Sequence, residues 1–275
     1  HTNHSTHAGD NFLDVPRVKQ FSILNRWKYY GFENYRFQIN FRGVLDYRTA
    51  GQITTGSDIL NPYIVNVDNN IFQIYTKLGK IKSDNRSIGS QTSFTLHNQN
   101  IKLGNTIYEG KQESFSTNII EQNQLNENNI LKYGTSCFAD RYVENFDGNI
   151  VNPFNYKERV DIVTGIYAEH QYNNNKINIL SGFRTDYYNI KDKVFYSPRV
   201  NIKYNPIDKI AIRMSAGKAF RISNVISENI HHFASSRDII IKNNIDPEEA
   251  FNYGLNIAYC FYFLGKEGTL NFDFY

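Results

Sequence analysis

Cysteine is almost missing from this chain: Cys137 and Cys260 are the only two in 275 residues and lie far apart in sequence. That excludes a disulfide scaffold, and no Cys or His group at ligand spacing supports a structural zinc site. Long hydrophobic runs are missing as well. The longest nearly unbroken one, 257–264, is far short of the roughly 20 residues a membrane-spanning helix needs, so any passage through a bilayer has to be made by a barrel. Neither sign of charge dominates. Lys and Arg number 30 against 27 Asp and Glu, for a net charge of +3, and they are interspersed, so the basic stripe of a nucleic-acid-binding surface is absent. No Gly-rich phosphate loop ending in Lys-Ser or Lys-Thr, no zinc-type His-Glu pair and no nucleophile elbow occurs. No motif suggests an enzyme, and neither a cofactor nor a resident metal is expected. The start, His1-Thr2-Asn3-His4, has neither Met nor a charged-then-apolar leader, and the chain stops at Tyr275 in mid-pattern. It reads as an internal piece of a longer protein.

What is present is aromatic surface and strict alternation. Hydrophobic residues are 40%, yet aromatics reach 15%, with 20 Tyr and 20 Phe beside a single Trp. A soluble core with so little aliphatic mass would be thin, whereas a barrel wall needs only one apolar face per strand. Runs of period two, the mark of a strand with two different faces, occur about twelve times. They fall near 17–30, 34–47, 70–80, 87–97, 113–122, 129–141, 159–172, 176–188, 196–205, 209–220, 249–263 and 268–275. Most are close to the roughly ten residues of a membrane-crossing strand. In the second, Tyr35, Phe37, Ile39, Phe41 and Leu45 alternate with Arg36, Gln38, Asn40 and Arg42. In the eighth, Ile177, Ile179, Phe183 and Tyr187 oppose Asn178, Arg184 and Asp186. The ninth sets Val200, Ile202 and Tyr204 against Arg199, Asn201 and Lys203, and the tenth sets Ile210, Ile212, Met214 and Ala216 against Arg213 and Ser215.

The links between runs also alternate. Short ones are expected at 31–33, 81–86, 123–128, 173–175, 206–208 and 264–267, and longer ones at 48–69, 98–112, 142–158, 189–195 and 221–248. An up-and-down barrel in an outer membrane sorts its connections in this way, with tight turns at one rim and loops at the other. A soluble β-sandwich has no reason to. Tyr29, Tyr30, Tyr47, Tyr187, Tyr188, Tyr204, Tyr262 and Phe263 gather near strand ends, where amphipathic rings suit the headgroup level.

Over residues 182–254 the landmarks become specific. Gly182-Phe183-Arg184-Thr185-Asp186 is followed by Tyr196-Ser197-Pro198-Arg199 and by the run from Arg213 to Arg221. Glu228, Ser236-Arg237, Asp246-Pro247-Glu248 and Asn252-Tyr253-Gly254 complete the series. In order and spacing they resemble the barrel of a TonB-dependent outer-membrane receptor, and the chain from Phe12 onward is similar to the earlier strands of that family with weaker landmarks. The resemblance implies an all-β, antiparallel up-and-down transmembrane β-barrel, here partial, with about twelve strands of a larger barrel of 22. It further implies import of a scarce ligand, such as an iron-siderophore, haem, cobalamin or an oligosaccharide. Transport would be driven through a separate plug domain, absent from this chain, by a TonB-type energy-coupling protein in a Gram-negative bacterium. A passive porin-like or surface-adhesion barrel is the alternative; an ungated pore is expected to fold a constriction loop inward.

The same resemblance assigns roles. Arg36, Arg42, Arg184, Asp186, Arg199 and Arg213 project into the lumen if the apolar faces meet lipid, and there they would hold the plug. Arg221, Glu228 and Arg237, on or near the longest loop, are the substrate candidates. Other polar groups carry less. His1, His4 and His7 lack companion ligands, and His231-His232 is expected to be a solvated loop pair. Asp10 to Asp14 lacks the oxygen set and Gly of a calcium loop.

Overall fold

The computed structural model describes residues 11–31, 34–52, 61–147, 158–234, 240 and 245–275. His1, His4, His7, Asp10 and Arg237 lie outside them. Twelve strands form one antiparallel sheet in which each is hydrogen-bonded to its sequence neighbours. They are β1 (Arg17–Tyr29), β2 (Tyr35–Gly51), β3 (Ile64–Ser83), β4 (Arg86–Leu103), β5 (Thr106–Asn126) and β6 (Asn129–Asp147), then β7 (Glu158–Asn173), β8 (Ile177–Tyr188), β9 (Lys193–Ile207), β10 (Ile210–Arg221), β11 (Glu248–Phe263) and β12 (Lys266–Phe274). All twelve expected runs are strands. The sheet is an up-and-down barrel wall that does not close on itself: the ladders run from β1 to β12 without a β12–β1 pair among the described residues.

Register shows which side each residue takes, because directly opposed residues on an antiparallel ladder share a face. One row runs Phe41, Ile74, Phe94, Phe115, Ala139 and Ile162 across six strands, and the row beside it runs Arg42, Gln73, Thr95, Ser114, Asp140 and Asp161. The polar face is the inner, concave one. Only on a concave surface can side chains reach over an intervening strand, as Tyr167 of β7 does to Asn118 of β5 at 2.8 Å and Arg184 of β8 does to Ser136 of β6 at 2.7 Å.

The outer face marks the level of the bilayer. On β5 the apolar stretch from Phe115 to Ile119 is bracketed by Glu113, which pairs with Lys111 at 2.8 Å and Arg141 at 3.1 Å, and by Glu121, which pairs with Lys82 at 3.2 Å and with Arg86. At about 3.3 Å per residue, Glu113 to Glu121 spans about 26 Å along the strand. A tilt of about 40° turns that into a height of about 20 Å, near the roughly 25 Å apolar band of outer-membrane barrels. Charges on a lipid-facing surface are tolerated only near its edges, so these two clusters define the edges.

Three expectations change. The segment 98–112, expected as a loop, is the upper part of a hairpin: β4 and β5 continue past the bilayer level and meet in a turn of two residues, Gly104 and Asn105. Gly104 has φ +62°, the first central position of a II′-type turn. Loop length is therefore not sorted as strictly as the alternation implied, although the strand ends joined by the longer connections, β2 to β3, β6 to β7 and β10 to β11, all fall at the same rim. Tyr188, expected at the headgroup belt, faces inward and is buried, because its register partner is Val163 of the inner face. Finally, the β10–β11 connection turns back over the inner wall. It carries a one-turn helix α1 (Val225–Glu228) and a 3-10 turn (Ile230–Ala234). Ile226 and Phe233 pack with Ile101 and Tyr108, flanked by Val67, Leu103 and Phe146, and the Phe146 and Phe233 rings lie 4.5 Å apart. At about 1.5–3 kcal/mol for each fully buried large apolar side chain, Ile226 and Phe233 are the anchors of this loop. A second cluster, Val163, Tyr188 and Phe195, takes Phe220 and Ile222 from the start of the same loop.

Candidate functional site

The polar residues of the inner face concentrate where β6, β7 and β8 pass beneath the β10–β11 loop. Side chains two apart on a strand share a face, and charged pairs are built on that spacing. Arg159 Nε donates to Asp161 Oδ2 at 2.7 Å, Arg184 Nε to Asp186 Oδ2 at 2.6 Å and, on β2, Arg48 Nε to Asp46 Oδ2 at 2.9 Å. The carboxylates are the buried members: Asp161 is 2% and Asp186 1% exposed. Burying an ion is costly unless it is paired and its remaining lone pairs are met. Both are. Asp161 also accepts from the Tyr188 hydroxyl at 2.7 Å, and Asp186 receives a second bond from the Arg184 guanidinium.

Asp140, directly opposite Asp161, differs from them. Its Oδ2 accepts from the Tyr142 hydroxyl at 2.9 Å and from Gln112 at 3.3 Å, while its Oδ1 is buried with no hydrogen-bond partner among the described residues. Arg159 joins the wall to the loop: its guanidinium lies 4.8 Å over the Tyr142 ring and donates to the Asn224 side chain. The loop and the wall border a half-open cleft of about 350 Å³, with Phe138, Asp140, Tyr142, Arg184, Phe220 and Ile222 among its lining. A neighbouring groove of about 440 Å³ runs along β8 to β10, where Gly182, Ser197, Ser215 and Gly217 leave room between Arg184 and Arg199. Above the bilayer level, Glu144 accepts from Tyr108 at 2.7 Å beneath α1. Burial raises the Glu144 carboxyl above its ordinary range, against the opposing pull of that hydrogen bond. Burial likewise raises the Tyr108 hydroxyl, and the Glu144 charge adds to it.

Each sequence-derived candidate among the described residues has a definite place. Arg36, Arg42, Arg184, Asp186, Arg199 and Arg213 are all on the inner face, at different heights. Arg36 sits near the tight-turn rim, bonded to the Tyr35 carbonyl at 3.2 Å, and Arg42 stands between Leu24 and Gln73. Arg199 pairs with Glu169, and Arg213 donates to Asn256 at 2.8 Å. Of these six only Arg184 and Asp186 line the cleft, where the substrate candidate Arg221 joins them. Arg221 forks onto Glu248 at 2.9 and 3.0 Å and pairs with Glu228 at 2.9 Å, tying together both ends and the helix of the loop. The His231 and His232 rings lie 3.9 Å apart, tilted by 44°, and no group of three or more metal-ligating side chains forms among the described residues. The residues that sequence reading did not nominate for this site are Asp140, Tyr142, Glu144 and Asn224, together with Tyr188, which was expected at headgroup level. For those on strands the only signal was position on the polar side, which dozens of residues share, and Asn224 lies in the loop.

Comparison with known proteins places this architecture. A family model described as "TonB dependent receptor-like, beta-barrel" matches residues 2–275. No curated protein sequence matches. Among solved structures, FpvA of P. aeruginosa, bound to heterologous pyoverdines, superposes with a TM-score of 0.66 at 14% identity over 94% of this chain and 41% of its own. The outer membrane transporter YddB of Escherichia coli gives a TM-score of 0.66 at 9% identity, over 94% of this chain and 40% of its own. FauA, the alcaligin outer membrane receptor of Bordetella pertussis, gives 0.61 at 10%, over 92% and 42%. The chain thus spans about two fifths of the length of the structures it matches. At these identities the likeness is one of fold.

Proposed function

The chain belongs to the TonB-dependent receptor-like β-barrel family, and from that membership we infer that the whole protein is an outer-membrane receptor that captures a scarce ligand and imports it by coupled active transport. A family of transporters gives no ground for an enzymatic activity. The observation that carries the reading is the inner wall. A β-sheet whose outer face is an apolar band between two charged edges, and whose inner face is lined by paired charges and open clefts, suits a lumen through which a polar solute passes.

In this reading a plug domain fills the lumen against Arg36, Arg42, Arg184, Asp186, Arg199 and Arg213. The β10–β11 loop, with Arg221, Glu228 and Arg237, meets the ligand at the outer rim. A TonB-type protein supplies the force. FpvA binds pyoverdines and FauA is an alcaligin receptor, which favours an iron-siderophore over haem, cobalamin or an oligosaccharide. Deletion of the gene should abolish energy-dependent uptake of one labelled iron chelate under iron limitation, and loss of the coupling protein should have the same effect. Unchanged uptake of every iron, corrinoid and glycan source tested would sink the proposal. The inward fold of the β10–β11 loop is the one observation that also suits a passive pore. A steady conductance of the purified whole protein in planar bilayers, with no coupling protein present, would select that reading instead.

A further inference from the structure

We propose that the inner wall of β1 to β3, from the tight-turn rim up to Arg42, docks an acidic protein face, that of the plug which fills the lumen in the transport reading on which this inference rests. Register puts Arg26 and Lys28 of β1, Arg36 and Arg42 of β2 and Lys77 of β3 on the inner face: Leu24 opposes Arg42, Arg26 opposes Asn40, and Lys28, Gln38 and Lys77 stand in one row. All five cations are exposed. What holds them is neutral. Arg26 donates to the Asn40 side chain and Arg36 to the Tyr35 carbonyl, both at 3.2 Å, while the Arg36 guanidinium lies 5.7 Å over the Tyr30 ring and the Lys77 ammonium 5.7 Å over the Tyr75 ring. None of the five makes an ion pair among the described residues.

This wall has no carboxylate to offer them. The only described one that β1 to β5 carry on the inner face is Asp46, higher up, and it belongs to Arg48. Asp68, Glu109, Glu113 and Glu121 take the outer face, and Asp84 lies in the β3–β4 turn. Strands β6 to β8 differ: Asp140, Glu144, Asp161, Glu169 and Asp186 face inward there, and the inner cations Lys132, Arg159 and Arg184 each have a carboxylate. Unmatched positive charge is thus gathered on one flank of the wall. Its extent selects the partner. Arg36 to Arg42 covers about 20 Å of strand, and Lys28 and Lys77, two strands apart, are separated by about 10 Å. A small anion reaches only the lower end, where Gly79 and Gly89 leave an open hollow of about 270 Å³ beside Lys28, Arg36 and Lys77. Arg26 and Arg42 would stay unanswered. With a Debye length of about 8 Å, neighbouring charges at these spacings are only partly screened, and a wall of one sign focuses its field into the lumen. A protein face bearing several Asp or Glu answers all five cations together. It also fixes the angle at which the plug sits, because charge complementarity sets register. Arg184, Asp186 and Arg199 are already paired and need no charge from it.

The test uses the whole protein purified in detergent. A water-soluble carbodiimide joins a lysine amine to a touching carboxylate as an amide, taking up the water released, and mass spectrometry locates each link. Lys132 with Glu169 at 3.4 Å and Lys111 with Glu113 at 2.8 Å are internal standards. Lys28 or Lys77 should be found linked to an Asp or Glu outside the 275 residues. In parallel, the thermal midpoint is recorded for wild type and for the triple variant Lys28→Gln, Arg36→Gln, Lys77→Gln. Acidic groups left without their cations lower the midpoint. Without such a face, removing three like charges relieves repulsion and leaves the midpoint unchanged or raised. The proposal is overturned if the standards link while Lys28 and Lys77 do not, or link only within the 275 residues, and equally if the midpoint fails to fall. A raised midpoint, with saturable stabilisation of the wild type by inorganic phosphate, marks a small-anion site in its place. Should the triple variant fail to reach the membrane, the wild-type links decide alone; should neither standard link, the midpoint does. Uptake plays no part in these readouts, so failure of the transport reading and failure of the docking face are separately visible.

Discussion

Two residues of the inner wall look alike in sequence and differ by environment. Arg184 and Arg199 both lie on the polar side of strands and both make an ion pair, but Asp186, the partner of Arg184, is 1% exposed and has no second cation at ion-pair distance among the described residues, whereas Glu169, the partner of Arg199, is 13% exposed and keeps Lys132 at 3.4 Å. Removing Arg184 strands a buried charge, so Arg184→Ala should cost the folded receptor about 3 kcal/mol. Arg199→Ala should shift the urea midpoint little, because Glu169 still has Lys132 and the lost pair is partly hydrated. Equal shifts for the two variants would mean that Asp186 is reached by water. Glu144 gives a prediction with a sign. Its folded carboxyl titrates above the ordinary value because burial disfavours the ion. A group raised on folding contributes stability that is fully present below its unfolded value and is lost as pH rises through the folded one. The packing of α1 over Tyr108 and Glu144 should therefore tighten on acidification, seen as slower amide exchange at 225–234 near pH 4 than near pH 7 after correction for intrinsic rates. Glu144→Gln should remove the difference. The Arg184 and Asp186 pairing was legible in sequence, since residues two apart on a strand share a face. The Asp140 cleft was not, because it needs the register of β6 with β7 and a loop folded back from β10.

At the scale of the element, the sequence was most informative where lipid touches the strand. Period two arises from a face that must be apolar beside one that need not be, so every run within the bilayer band was legible. Above the band that contrast ends. β3 to β6 extend to between 18 and 21 residues, and on the added parts the outer face turns polar, as with Asn98 and Asn100 on β4 and Glu109 and Lys111 on β5, while the few apolar residues, such as Ile101 and Tyr108, face inward. Segment 98–112 therefore has the composition of a loop while it pairs as a hairpin. Its single local signal was Gly104 at the turn. A Cβ there would come within 2.8 Å of the Tyr63 ring, on a backbone of φ +62° that a branched side chain resists. Gly104→Val should cost about 1–2 kcal/mol locally and raise amide exchange at 98–111, while the lower parts of β4 and β5 stay protected. Unchanged exchange through 98–111 would mean that the turn tolerates the substitution and that its register is set elsewhere.

At the scale of the molecule, twelve strands make a wall and not a vessel. Phe21, Ile23, Trp27, Ile166, Phe183, Phe251 and Leu270, among many others, are exposed on the outer face. Among the described residues no opposing layer covers them, so the apolar face is suited to lipid and not to a core of the chain's own. The two terminal strands add a second demand. β1 pairs only with β2 and β12 only with β11 among the described residues, leaving two rows of backbone donors and acceptors that are costly in hydrocarbon and a template for association in water. Neither solvent suits the 275-residue polypeptide alone. Produced without further sequence, it should sediment in the absence of detergent, and in detergent it should run as heterogeneous oligomers through edge pairing. If the sequence is extended by further strands that close the barrel, the product should instead give one monodisperse species whose gel mobility changes on heating. Recovery of the isolated polypeptide as a folded, detergent-free monomer would show that its apolar outer residues can cover one another, and the assignment of that face to lipid would fall.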